Sequence, residues 1–123
     1  MSRLLAMVIA MCCIAEAYSA EPLGQVTVTA TRTAEERVAQ TSFGVPVYEV
    51  TMSYRVSFSD LDLRGAAGVD ELEKRVAKVA TEACAAIDQQ YSRSEPRGAA
   101  CAKAAVDDAM IQIQDAINRA QVQ

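Results

Sequence analysis

At Val56-Ser57-Phe58-Ser59-Asp60-Leu61-Asp62-Leu63 the apolar residues of this chain stop recurring every second position and begin recurring every third or fourth. A period of two is the mark of a half-buried strand, and a period near 3.6 that of an amphipathic helix. The fold must therefore place a strand before this joint and helices after it. On the strand side, Tyr48, Val50, Met52, Tyr54, Val56 and Phe58 alternate with Glu49, Thr51, Ser53, Arg55 and Ser57. A strand of that length needs a partner for its backbone groups. Three are available: the Val26–Thr31 patch, a bend in the strand itself, or a second copy of the chain.

On the helix side, Val69, Leu72, Val76, Val79, Ala83 and Ile87 make one apolar stripe. Asp70 and Glu73 resemble a capping pair, with a start one turn earlier as the alternative. Glu71 with Arg75, and Lys78 with Glu82, are spaced for surface ion pairs. Pro96 and Gly98 break the helix within Ser92–Gly98. A second helix follows over about Ala99–Ala120, with Ala102, Val106, Met110, Ile113 and Ile117 as its stripe. Helices joined by a short polar loop pack antiparallel. The expected fold class is α+β: an N-terminal strand or β-hairpin packed on a disulfide-linked antiparallel helical hairpin.

The first twenty residues read as an export signal. Arg3 supplies a positive start, Leu4–Ala15 an apolar run too short to span a bilayer, and Ala15-Glu16-Ala17 and Ser19-Ala20 two small-residue exits. Cleavage is expected after Ala20, with Ala17 as the alternative. A retained anchor, and a lipoprotein through Cys12 or Cys13, are the competing readings. The domain plan is then 1–20 signal peptide, 21–44 mobile leader with a short strand-like patch, and 45–123 the folded unit. The location is periplasmic or secreted, with no retained membrane span. Cleavage leaves Cys84 and Cys101, an even pair that reads as a bridge in an exported domain. The competing metal or redox reading is poor, because there is no His and no CxxC.

Composition closes off several functions. The absence of His removes the commonest general base and metal ligand. A net charge of −4 without a basic run does not suit nucleic acid. No cofactor and no small-molecule substrate is evident. The carboxylates Asp60 and Asp62 are the sole candidates for acid/base chemistry or cation binding, and hydrogen bonding within the turn Asp60, Leu61, Asp62, Leu63 explains them as well. No catalytic and no metal residue is therefore assigned. A non-enzymatic structural or protein-binding module is expected, pairing with another envelope protein or with itself through the strand edge.

The ordered set VSFSDLDL, Ala67-Gly68, Leu72, Arg75-Val76, Ala80, Cys84, Cys101, Ala105-Val106 and Ala109 resembles the UrcA family of small exported bacterial proteins. The resemblance covers residues 54–117. It departs at Arg64-Gly65-Ala66, where many members carry Thr or Ser before the Ala-Gly. It implies export and a Cys84–Cys101 pair, and no activity. Separately, Gln25-Val26-Thr27-Val28-Thr29-Ala30-Thr31-Arg32 with Glu35-Glu36-Arg37 resembles the opening of TonB-dependent receptors, in which an extended box adds as a strand to TonB. A Val/Thr strand that matches by composition is the alternative.

Overall fold

The computed structural model describes residues 24–35 and 47–123. The signal-peptide and cleavage readings, and the Ser42–Pro46 loop, lie outside them. Strand β1 (Gln25–Glu35), strand β2 (Val47–Ser57), helix α1 (Ala66–Gln90), the short strand β3 (Ser94–Glu95) and helix α2 (Gly98–Val122) follow in order. The three strands form an antiparallel sheet in the order β2-β1-β3. The two helices cover one of its faces, giving the α+β architecture.

β2 pairs with β1 along its whole length, from Gln25 opposite Ser57 to Glu35 opposite Val47, without a slip or bulge. Of the three partners open to the strand, the upstream patch is therefore the one used within the chain. Residues 25–35 are not a leader attached to the domain; they are its central strand. The strand-like patch runs four residues past Thr31, because Arg32 and Ala34 continue the buried face of Val26, Val28 and Ala30. The opposite face is a ladder of hydroxyls, with Thr29 Oγ1 to Ser53 Oγ at 3.0 Å and Thr31 Oγ1 to Thr51 Oγ1 at 3.5 Å.

α1 starts a turn before the Asp70 and Glu73 pair. Its N-cap is Gly65, in extended backbone, with no side-chain cap. The local turn sets this start: the Asp62 carbonyl accepts Gly65 N–H at 3.3 Å. Gly68 then rides directly over the same carbonyl, where a Cβ would stand 2.0 Å from the oxygen. Leu72, Val76, Ala80, Ala83, Cys84 and Ile87 are buried along α1. In α2 the buried line is Cys101, Ala105, Ala109 and Ile113. Of the expected stripe, Ile113 is buried, whereas Ala102, Val106, Met110 and Ile117 lie beside that line and are only partly buried. Two of the four residues on that buried line are alanines, whose single methyl gives little apolar signal in the sequence.

Cys84 and Cys101 are bonded, with Cα atoms 6.0 Å apart. The bridge joins the last two turns of α1 to the first turn of α2. Both expected surface pairs form, Arg75–Glu71 at 3.1 Å and Lys78–Glu82 at 4.0 Å. Such exposed pairs contribute little to stability.

Candidate functional site

The joint between β2 and α1 carries the two candidate carboxylates, Asp60 and Asp62. Leu63 is buried and Leu61 partly so, and they anchor the turn to the core. Asp60 and Asp62 remain exposed, and each is held by its own arginine. Arg75 reaches down from α1 and grips Asp60 in a two-pronged pair, Nη1 to Oδ1 at 2.8 Å and Nη2 to Oδ2 at 2.7 Å. It also donates to the Ser57 carbonyl and to Glu71. Asp62 Oδ1 accepts the Arg64 backbone N–H at 3.0 Å and Arg64 Nε at 3.1 Å. The Arg75 guanidinium holds the Asp60 carboxyl below its usual range, and Arg64 does the same to Asp62. Arg75 is correspondingly raised, first by Asp60 and then by Glu71. Both carboxylates are thus ionised: Asp60 ties the end of β2 to α1 through Arg75, and Asp62 closes the turn on Arg64. No group of three or more His, Cys, Asp or Glu placed to hold a metal occurs among the described residues.

An open groove of about 680 Å³ lies between the joint and the end of α2. Phe58, Leu61 and Ala116 give it an apolar floor; Asp62, Arg64, Asp115 and Arg119 give it balanced charge. Nothing in that lining sets a nucleophile beside a base.

The second cluster surrounds Arg32, which is 1% exposed. Its Nη1 donates to the Cys84 carbonyl at 3.2 Å and to Asp88, and its Nη2 to the Ser94 carbonyl at 2.7 Å. Asp88 is also paired with Arg97 at 3.3 Å. Arg32, then Arg97, holds the Asp88 carboxyl below the usual carboxylate range against the opposing effect of burial. A buried charge is tolerable only when it is paired and hydrogen-bonded in this way. The guanidinium ties β1, α1 and β3 together next to the disulfide. In the sequence, an arginine does not announce a buried face. The available signal was its phase, in step with Val26, Val28 and Ala30.

The third feature is the sheet edge. On the β3 side of β1, Gln112 of α2 imitates a neighbouring strand: its side-chain amide accepts Thr27 N–H and donates to the Thr27 carbonyl, both at 2.9 Å. Farther along, β3 pairs with Thr33 and Ala34. The other side of β1 is taken up by β2 throughout. A strand addition through Gln25–Arg32 of the TonB-box kind would need this sheet to open and Arg32 to leave the core.

Among the described residues, β2 is an edge strand. Opposed residues of an antiparallel pair exchange both backbone bonds or neither. Thr27 directs its backbone to Gln112, so the pair Thr27–Arg55 is of the second kind. The backbone groups of Glu49, Thr51, Ser53 and Arg55 accordingly point away from β1. The Ser57 carbonyl points the same way and takes Arg75 Nη1 at 3.1 Å. The side chains of β2 on the helix-facing side are also incompletely covered: Val56 is buried, Val50 and Met52 only partly, while Tyr48 and Tyr54 are 39% and 43% exposed. A backbone edge and an apolar margin therefore coincide along one strand.

The bridge points to an oxidising compartment. No helix among the described residues is long and apolar enough to cross a membrane. Comparison with family models, with curated proteins and with solved structures gave no match.

Proposed function

We propose that this chain is an exported, UrcA-like protein of the bacterial envelope that acts as a non-enzymatic protein-binding module, with β2 as its contact element. The observation that carries the reading is the coincidence on β2 of outward backbone groups and a half-exposed apolar margin. Natural sheets blunt such edges with proline, lysine, bulges or short length. β2 has eleven residues, neither Pro nor Lys, and an unbroken register. Export to the periplasm or beyond is supported by the pattern of residues 1–20 and by the bridge. The ordered motif from Tyr54 to Ile117 supports the family resemblance.

The test is site-specific photo-crosslinking of the full chain in its native envelope. A photoreactive residue at Thr51, on the edge, is compared with one at Asp108, on the exposed side of α2. Protein adducts at position 51 and not at 108 are the expected result. Equal labelling at both, or none at 51, refutes the binding role of β2. The intact mass of the recovered protein tests export: a start at Glu21, with thiol label entering only after reduction, is expected. A retained Met1–Ala20 segment refutes it.

A further inference from the structure

We infer that the partner of β2 is a second copy of the same strand, paired antiparallel about a two-fold axis through Met52. The inference rests on the binding role proposed for this edge and adds its occupant and register. In a symmetric antiparallel pair, one residue lies opposite its own copy, and the rest pair at equal distances on either side. Overlapping the whole of Val47–Ser57 with itself puts Met52 at the centre and Val47 opposite the partner's Ser57.

Three independent properties of the strand agree with this register. First, the bonding phase is correct. Glu49, Thr51, Ser53 and Arg55 all point their backbone groups outward, and this register opposes Glu49 to Arg55 and Thr51 to Ser53, each pair exchanging both bonds. Second, the charges are complementary. Glu49 and Arg55 are the only charged residues of β2, stand on the same face, and lie at equal distances from Met52 with opposite sign. Neither forms an ion pair among the described residues. Pairing brings each against its opposite, twice per dimer. A shift of two residues in either direction separates them. Third, the apolar margins meet: Met52 faces Met52, and Val50 faces Tyr54, so the half-exposed side chains gain cross-strand neighbours on the helix side. The outer face continues as the Thr and Ser ladder. The product is a six-stranded sheet whose outer edges are the short, partly covered β3 strands.

The experiment uses the purified, oxidised full chain. Sedimentation and size exclusion at micromolar concentration are expected to give a dimer. Glu49→Arg and Arg55→Glu each set like charges opposite one another twice, and each is expected to weaken the dimer about tenfold. Glu49→Arg combined with Arg55→Glu restores it. Circular dichroism confirms that the variants are folded. The register has its own probe. Met52→Cys places thiols in a non-bonded pair with Cα atoms about 4.5 Å apart, within disulfide reach. Val50→Cys leaves its thiols about 13 Å apart along the strands. Covalent dimers are expected from the first and not from the second.

A monomer at all concentrations, crosslinking through Val50, or a dimer indifferent to the charge reversals overturns the inference. Adducts at Thr51 with a different protein, while the purified chain stays monomeric, also overturn self-pairing but leave the binding role standing. No adduct at Thr51 removes the binding role itself.

Discussion

Reduction of the Cys84–Cys101 bridge is the perturbation whose size follows most directly from the fold. The bridge closes a loop with a sequence separation of 17. In the chain-entropy model, closing that loop removes disorder from the unfolded chain worth about 3 kcal/mol at 25 °C. The comparison that matters is with the packing of the same helix pair. Ala80, Ala83, Ala105 and Ala109 are buried among the two helices, and at about 0.8 kcal/mol per buried carbon they contribute about 3 kcal/mol together. The crosslink thus matches the alanine contacts of the hairpin. For a domain this size, about 3 kcal/mol corresponds to a fall in Tm of roughly 12–24 °C. The assay is urea unfolding followed by far-ultraviolet circular dichroism, with and without a phosphine reductant. The midpoint is expected to fall, and the slope to rise because the reduced unfolded chain exposes more surface. A loss below about 1 kcal/mol refutes the reasoning: the helices would then be held by packing alone.

Gly68→Ala is expected to destabilise by about 2 kcal/mol or more, because the clash with the Asp62 carbonyl outweighs the roughly 1 kcal/mol gained in helix propensity. Gly65→Ala, whose Cβ would stand 3.9 Å from that oxygen, is the control and is expected to be nearly neutral in the same thermal melt. The depressed Asp88 carboxyl stabilises the fold above the unfolded value near pH 4, and this is lost as pH falls through the lower folded value. Asp88→Asn is therefore expected to lower Tm at pH 7, with the gap to wild type narrowing as pH falls below about 4; a gap that does not narrow on acidification refutes the ion-pair account. Because Asp60 and Asp62 are each engaged by an arginine, millimolar Ca²⁺ is expected to leave Tm unchanged, and a rise abolished by Asp60→Asn with Asp62→Asn would revive the cation site.

Much of this fold is legible in local pattern. The alternation of β2 and the stripe of α1 each follow from one element burying one face, and the chain displays that directly. The rest depends on distant partners. The strand character of Thr33–Glu35 was hidden because its buried face continues through Arg32, whose charge is offset by Asp88 and two carbonyls far along the chain. The phase of α2 is only partly legible, through Ile113, because alanine gives a weak hydrophobic signal even when it is fully buried. At the joint, the leucines were readable as anchors and the aspartates as turn formers, but their separation into two arginine pairs required knowing where α1 lies. Alternation also reveals that β2 has a buried face without revealing that it lies at the sheet edge, which is the property that matters for binding.

The place of β1 has a kinetic consequence. β1 and β2 can pair early, because the segment between their facing ends is short. Completing the sheet is different: β3 must return to Ala34 from Ser94, and the bonds of Arg32 span 52, 56 and 62 residues. Closing loops of that length precedes any reward from the contacts they make, so it falls late in folding. Setting the guanidinium among Cys84, Asp88 and Ser94 is thus a closing event that joins β1 to α1 and β3. Perturbing it is expected to speed unfolding more than it slows folding, which makes Arg32 a determinant of how long each molecule stays folded.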